Sequence, residues 1–272
     1  MRDRFREFYE RAGKYYPEDE LTYSSISGLL RKNWIVHKIE TMPAGNLLDC
    51  GCNVGRLSAQ WEKGAVFGID IARAVLQKGK ELFPETNFIH GDLRKIEFIR
   101  PDSIDNTIAC EVIEHLDTPL DFLQGLYTIM KKGGLVLITA PGYSYVRPNL
   151  EPLGIIRSYG IRVGTDGDFY LHTAYKPQEL ANMAQQAGFA IVETGSFEFE
   201  MRGWTKPLTI LENWFWLLSK KFFPDSHINI SAMHFFESLK INLFYILETF
   251  SFSKLLQKFF KEGRRSYILA RK

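Results

Sequence analysis

The chain has 272 residues, 45% apolar and 24% charged, with 34 basic and 32 acidic side chains for a net charge of +2. This composition excludes disorder over most of the length and a collagen-like chain. The length suffices to bury a core as one large α/β domain, or one domain with an appendage. So even a charge balance gives no global pull toward nucleic acid. Three cysteines, an odd number, speak against a disulfide framework and fit a reducing cytosol.

The first sixteen residues hold no apolar segment of the kind a secretory signal needs. No stretch reaches the ~18 uninterrupted apolar residues of a membrane span; Ile241 to Leu247 is broken by Asn242. Residues 1–40 read as an amphipathic N-terminal helical cap, rich in Phe and Tyr and broken at Pro17. From about residue 45, short apolar runs alternate with helical stretches, the pattern of a parallel sheet built from βα units. The predicted strands are Leu47–Cys50, Ala65–Asp70, Asn87–His90, Ile104–Cys110 and Leu135–Ala140. Between the last two, Leu120, Leu123, Leu126 and Ile129 share one face of a predicted helix, with Lys131-Lys132-Gly133-Gly134 read as its basic, glycine-capped end. Pro177 opens another helix, with Leu180, Met183 and Ala187 on its apolar face and Gly188 as its stop.

Phe189–Val192 and Ser266–Ala270 are the last two predicted strands, and residues 201–262 between them are crowded with aromatics at helical spacing. One face runs Leu208, Leu211, Phe215, Leu218, Phe222; a second Phe236, Leu239, Leu243, Ile246, Leu247; a third Phe252, Leu255, Leu256, Phe259, Phe260, with Lys254, Lys258 and Lys261 opposite. Residues 201–265 carry ten basic and five acidic side chains, a local +5 that leaves the rest of the chain near −3. An acidic domain, 41–200 with 263–272, is therefore expected beside a basic, aromatic insertion over 201–262. Three readings of the insertion compete. It is a helical cap that packs its Phe and Trp on the core and shapes the substrate pocket, an interfacial segment at a membrane, or a homodimer surface.

The most informative stretch is Asn46 to Leu57, where a buried strand ends at Asp49 and a tight turn feeds a helix. Gly51 and Gly55 remove side chains where a ligand approaches the backbone. Asp70 ends the next strand, 21 residues after Asp49, where an acid accepts both ribose hydroxyls of a nucleoside. Asp92, in Gly91-Asp92-Leu93, ends the third strand. Acids at the carboxyl ends of successive strands line the edge where open α/β sheets bind ligands. A carboxylate at Asp49 opposes a diphosphate, which wants bare amides, and suits an ammonium group. A nucleoside carrying an amino acid and a sulfonium fits better than a dinucleotide. Cys50 and Cys52 are two apart, not three, so they read as small thiols packing this turn rather than as metal or redox ligands.

Leu47–Gly55, Gly68-Ile69-Asp70, Gly91-Asp92-Leu93, Glu111-Val112-Ile113-Glu114-His115-Leu116 and Lys131–Thr139 together resemble the class I S-adenosylmethionine-dependent methyltransferases, in the small-molecule branch typified by the ubiquinone and menaquinone biosynthesis enzymes. The likeness covers roughly residues 30–200 and the final strand, and departs from the family at Asn53, where a Gly is usual. It implies a Rossmann-like seven-stranded sheet with the helical cap and the helical insertion before the last strand. It implies that Asp49 and the 51–55 turn, Cys52 included, hold the methionine end, Asp70 with Ile71 the ribose, and Asp92 with Leu93 the adenine. Cys110 would touch the cofactor through its backbone, and Arg31, 18 residues before Asp49, would meet the methionyl carboxylate.

Glu111, Glu114 and His115 follow the fourth strand directly, and His172 follows Tyr170-Leu171. Two carboxylates and two imidazoles suit an octahedral divalent ion such as Mg with positions left for substrate oxygens. The set resembles two metal-using groups, the ubiquinone-pathway O-methyltransferases and the small-RNA 3′-end 2′-O-methyltransferases. The same Ile-Glu-His-Leu stretch also occurs in metal-free members, where the Glu caps a helix and the His packs or acts as a base. The expected reaction is methyl transfer from S-adenosylmethionine to an oxygen of a small, apolar or aromatic acceptor, with His115 and Glu114, or a metal they hold, handling the proton. A lipid-linked acceptor would suit the membrane reading, and the expected location is cytoplasmic, at the inner face of a membrane where that reading holds. A nicotinamide-dependent oxidoreductase and a non-catalytic cofactor-binding scaffold are the alternatives; the first expects a Gly-x-Gly-x-x-Gly turn, which residues 51–55 do not form.

Overall fold

Apolar runs too continuous for a half-solvated face need cover on both sides, and a mostly parallel sheet between helices provides it. The computed structural model describes residues 3–222 and 228–272; the side chains at 216, 219–222, 228–234 and 253, Phe222 of the first insertion face among them, lie outside that description. In chain order the elements are α1 (Arg4–Tyr15), α2 (Glu18–Tyr23), α3 (Ile26–Glu40), β1 (Leu47–Cys50), β2 (Val66–Asp70), α4 (Arg73–Leu82), β3 (Asn87–His90), β4 (Ile104–Cys110), α5 (Pro119–Ile129), β5 (Met130–Pro141), β6 (Leu150–Pro152), β7 (Phe169–Leu171), α6 (Pro177–Gln186), β8 (Ala190–Phe197), α7 (Thr205–Phe222), α8 (Ile228–Glu248), α9 (Phe252–Phe259) and β9 (Arg265–Arg271).

Seven strands form one sheet in the order β3-β2-β1-β4-β5-β9-β8. Neighbours from β3 to β5 run parallel. β9 runs antiparallel to β5, pairing Ile138 with Ile268 and Pro141 with Arg265. β1 lies mid-sheet, with Asp49 level with Gly68 of β2 on one side and Ile108 of β4 on the other. The chain leaves β1 toward one edge and later returns to its other side, and that reversal opens a crevice at the carboxyl ends of the strands.

α5 starts at Pro119, whose missing N–H is no loss in a first turn, and α6 starts at Pro177 with the Glu179 carboxylate accepting the Lys176 N–H at 2.7 Å. Their apolar faces, with Leu123, Leu126, Leu180 and Ala184, join Val136 and Ile138 of β5 and Ile268 of β9 in the main core. The Lys131–Gly134 stretch, expected to cap α5, instead belongs to β5. α5 ends at Ile129, the Gly133 N–H donates to the Lys272 carbonyl at 2.8 Å, and Lys131 pairs with Asp105 at 2.8 Å. Sheet pairing to the chain's last residues, absent from any local pattern, extends the strand here. β6 and β7 pair as a separate two-stranded hairpin that the sequence did not reveal, since three-residue strands carry no readable period.

The chain divides into two compact units, one of Met1–Asp19, Trp34–Gly195 and Arg265–Lys272, the other of Glu20–Asn33 and Ser196–Arg264. The expected cap, 1–40, is thus shared between them, and the second unit joins a piece of it to the insertion. Within the second unit, Lys240 is buried between Glu212 and Glu237, at 2.6 Å from each. A charge taken out of water is tolerable only when paired in this way. Glu237 also accepts the Ile26 N–H at 2.8 Å, and the buried Glu198 accepts from Ser27 at 3.2 Å. Of the third insertion face, Leu256 is buried while Leu255 and Phe259 are exposed. Among the described residues no helix is long and apolar enough to cross a membrane.

Leu123 is fully buried in the main core, so Leu123→Ala is expected to lower the free energy of unfolding by about 2–5 kcal/mol in urea denaturation.

Candidate active site

β1 carries Asp49 into the interior, where its carboxylate accepts a 2.6 Å hydrogen bond from Ser58. Burial pushes its pKa up to about 7, against the lowering pull of Ser58, and the neighbouring Asp70 adds to the rise. The turn that follows is left-handed at Gly51 (φ +70°), Asn53 (φ +50°) and Gly55 (φ +85°). A Cβ on Gly51 would stand 2.4 Å from the Val112 side chain, and one on Gly55 3.0 Å from the Phe88 ring. Protein packing therefore demands these glycines independently of any ligand. Asn53 keeps the turn open where the family has Gly, because asparagine tolerates left-handed backbone. Its N–H donates to Asp70 at 2.9 Å. All three cysteines are buried and outside any disulfide; Cys52 packs with Val54, Ala72 and Val75 under the turn.

At the tip of β2, Asp70 also accepts the Ala72 N–H at 2.9 Å. Burial raises its pKa although the backbone hydrogen bonds from Ala72, Asn53 and Ile71 pull the other way. The Ile71 carbonyl accepts from His90 Nε2 at 3.0 Å. At the tip of β3, Asp92 caps a 3-10 turn beginning at the buried Leu93. Burial raises the Asp92 carboxyl, but the hydrogen bonds of Arg94, with Nη2 at 2.6 Å, outweigh it and hold the pKa below the usual range.

The first two helices together reach each of these tips, which sequence reasoning missed. Asp3 pairs with Arg94 at 2.5 Å, Glu10 with His90 at 3.1 Å and with the Arg73 N–H at 3.1 Å. At the head of α2, Glu18 accepts from Asn53 at 3.4 Å, and Asp19 takes both ends of the Arg56 guanidinium at 2.8 and 2.6 Å. The density of aromatics and acids in residues 3–19 was the available signal, but nothing local told which strand tip each acid meets.

β4 ends at the buried Cys110, and Glu111 follows with left-handed backbone (φ +59°). Its carboxylate accepts from Thr139 at 3.0 Å and pairs with Arg265 at 3.0 Å. Glu114, His115 and His172 converge, each offering a ligand atom within 4.8 Å of the others. Three of the four expected metal ligands are thereby brought together, and Glu111 is placed in its own ion pair. The His115 Nδ1 donates to the Leu171 carbonyl at 3.0 Å, leaving Nε2 as the acceptor, 3.9 Å from Glu114. Burial pushes His115 down to about 4 and lowers His172 as well, so both imidazoles are neutral at neutral pH. Rings of Tyr9, Tyr170 and His172 surround His115, with centroids 5.6, 6.1 and 5.2 Å away. Arg31, expected at the methionyl carboxylate, belongs to the second unit, where its Nε lies 3.4 Å from Glu198.

A central strand flanked by crossovers to both sides, an acid on each of three successive tips and an antiparallel seventh strand define a nucleoside-binding transferase of the methyltransferase class. Comparison with known proteins agrees. A methyltransferase domain family matches residues 48–138. The ubiquinone biosynthesis O-methyltransferase of Nitrosomonas europaea is 31% identical over 175 residues, covering 61% of this chain and 72% of that one. The enzyme of the same name from Leptothrix cholodnii is 27% identical over 201 residues, covering 71% and 84%. Among solved structures, phosphoethanolamine N-methyltransferase 2 of Haemonchus contortus with S-adenosyl-L-methionine shares the fold (TM-score 0.58, 18% identity, 98% of this chain and 60% of that one). So does the [4+2]-cyclase SpnF (TM-score 0.54, 14% identity, 89% and 79%). The chain belongs to the class I S-adenosylmethionine-dependent methyltransferases. It is an enzyme that uses S-adenosylmethionine, and the nicotinamide and scaffold alternatives fall away.

Between the ordinary carboxyl range and pH 7 the folded chain keeps an Asp49 proton that the unfolded chain has released, so this group's contribution to stability falls as pH rises through that window and stays low above it. Asp49→Asn, which cannot ionise, is expected to stabilise the ligand-free protein at pH 8 by on the order of 3 kcal/mol and to change little at pH 4, as read by urea denaturation at both pH values.

Proposed function

We propose that this methyltransferase acts on an oxygen of a small, apolar or aromatic acceptor carrying two neighbouring oxygens, bound beside Glu114, His115 and His172. The observation that supports this reading above the others is the convergence of those three side chains where β4 ends, next to the strand whose tip carries Asp49. Asp49 and the 51–55 turn take the methionine end of the cofactor, Asp70 with Ile71 the ribose, Asp92 with Leu93 the adenine, and Cys110 a backbone contact. The relatives named for O-methylation in ubiquinone biosynthesis favour oxygen over nitrogen or carbon.

His115 does the proton work. Its Nδ1 is committed to the Leu171 carbonyl, its Nε2 carries the lone pair, and burial keeps the ring neutral, so it accepts the proton of an acceptor hydroxyl in line with the methyl group. Glu114, buried beside it, stabilises the imidazolium that results. Alternatively, two neutral imidazoles and a carboxylate are a fitting donor set for a divalent cation, which Glu114, His115 and His172 would hold, the lone pair of His115 Nε2 then serving the ion instead of the proton. Such an ion, when bound, lowers the pKa of a hydroxyl it touches and orients the oxygen. Closure of the pocket around aligned reactants supplies the rest of the rate.

A second reading concerns the other unit. Ile210, Leu211, Trp214, Phe215, Leu217 and Leu218 of α7 recur at one helical face, and all are exposed. On α9, Leu255 and Phe259 are exposed beside Lys254 and Lys258. Apolar side chains turned outward among lysines suit the anionic inner face of a membrane better than a second copy of the same basic surface, and they fit a lipid-linked acceptor.

Incubation with labelled S-adenosylmethionine and catechol-type acceptors is expected to yield an O-methyl product, and His172→Ala to lose about 10–100-fold in kcat/KM. Methylation confined to nitrogen or carbon would overturn the reading, and full turnover after chelation would remove the cation from it. Sedimentation is expected to pellet the protein with anionic but not zwitterionic vesicles, and the Trp214→Ser, Phe259→Ser variant to bind them about tenfold more weakly. No pelleting, or a stable dimer that the same substitutions dissolve, would refute the membrane contact.

A further inference from the structure

Among the buried polar atoms of the first unit that make no hydrogen bond with a described residue, one lies on a residue touching His115 from the N-terminal helix. The hydroxyl of Tyr9, on α1, is buried and makes no hydrogen bond with any described residue. Leaving a buried hydroxyl unsatisfied costs stability that a phenylalanine at the same place would not. The ring itself is well used, edge-on to His115 at 5.6 Å and against Phe5 and Phe8 at 4.7 and 4.9 Å. Packing therefore accounts for an aromatic residue here and leaves the oxygen unexplained.

The surroundings of that oxygen locate it. Its pKa is pushed well up by burial first, then by the carboxylates of Glu114 and Glu18, by Tyr170 and by Asp70. Asp70 ends β2 and Glu114 follows β4, and the strand between them in the sheet is β1. Glu10, the next residue of α1, meets His90 at the end of β3 and the Arg73 N–H after β2, while the Tyr9 ring meets His115 after β4, so Tyr9 falls on the stretch of the sheet where β1 lies between. The helix that carries it is pinned on either side of Tyr9, by Asp3 to Arg94 and by Glu10 to His90 and Arg73. The His115 ring that Tyr9 touches has Glu114 3.9 Å away, and Asp49 and Asp70 end the neighbouring strands, so a lone pair here suits a positive partner.

We infer that the Tyr9 hydroxyl contacts the sulfonium end of S-adenosylmethionine, its oxygen facing the polarised methyl and methylene hydrogens around the charged sulfur. The inference rests on the placement of the cofactor along the β1–β3 tips proposed above. Carbon-bound hydrogens next to a formal positive charge are effective donors to oxygen, as charge assistance strengthens any hydrogen bond. Demethylation removes that charge, so S-adenosylhomocysteine draws nothing comparable from the tyrosine. Tyr9 would thus favour substrate cofactor over product cofactor and help product leave. The His115 ring lies edge-on to Tyr9, with Tyr170 beside His115, and the hydroxyl itself is buried.

Tyr9→Phe removes the oxygen and keeps the ring. Calorimetric titration of the full-length wild type and the variant with S-adenosylmethionine and with S-adenosylhomocysteine tests the assignment, alongside thermal melts of the ligand-free proteins. The variant is expected to melt no lower than wild type, to bind S-adenosylmethionine about five- to tenfold more weakly, and to bind S-adenosylhomocysteine within about twofold of wild type. Equal loss for both ligands, or no loss for either, overturns the contact with sulfonium while leaving the cofactor site in place. Should the variant melt lower, the hydroxyl has a structural partner and the inference fails. Should Asp70→Ala bind S-adenosylmethionine as tightly as wild type, the placement of the cofactor fails, and the role of Tyr9 with it.

Discussion

A carboxylate buried at the end of a central strand governs this molecule. Among the described residues Asp49 has one side-chain donor, Ser58, to offset the loss of water, and burial raises its pKa against the pull of that hydrogen bond. A fold selected for stability alone would place an apolar residue there. In the proposed placement of the cofactor the penalty becomes an asset, since the same low polarity that disfavours the free carboxylate would strengthen its attraction for an ammonium or sulfonium group. Asp70, held by backbone amides, deepens the negative potential, and the two imidazoles nearby are neutral and do not oppose it.

The elements around that acid give it a defined geometry. The turn after β1 is left-handed at three positions, and its glycines are required by Val112 and Phe88 as much as by a ligand. α1 and the start of α2 then set one acid against each neighbouring tip. The β6–β7 hairpin contributes Tyr170 and His172, and the Thr173 N–H donates to the Glu114 carbonyl at 2.8 Å. Segments far apart in the chain thereby fix one histidine tautomer, with His115 Nδ1 satisfied and the lone pair on Nε2.

The second unit follows a different rule. Its buried Lys240 is satisfied by two glutamates, while large apolar side chains of α7 and α9 face outward. Helical periodicity in α7 and α9 was legible from the sequence, but periodicity states only that one face differs from the other. Which face turns inward depends on what the helix packs against, and here the aromatic face that reads as core is in good part exposed.

Much of the sheet was determined locally. Buried parallel strands need unbroken apolar runs of four to eight residues, and glycine, proline and acids punctuate them, so β1, β3 and β4 are read to the residue and the turn after β1 with them. The acids at the strand tips were legible for the same reason, because a strand's end is visible in the chain that makes it. Tertiary structure alone decided that Lys131–Gly134 extends β5, that Glu111 pairs with Arg265, and that Tyr9 joins His115 and Tyr170. Each of those depends on a partner distant in sequence, and periodicity carries no information about which distant segment will arrive.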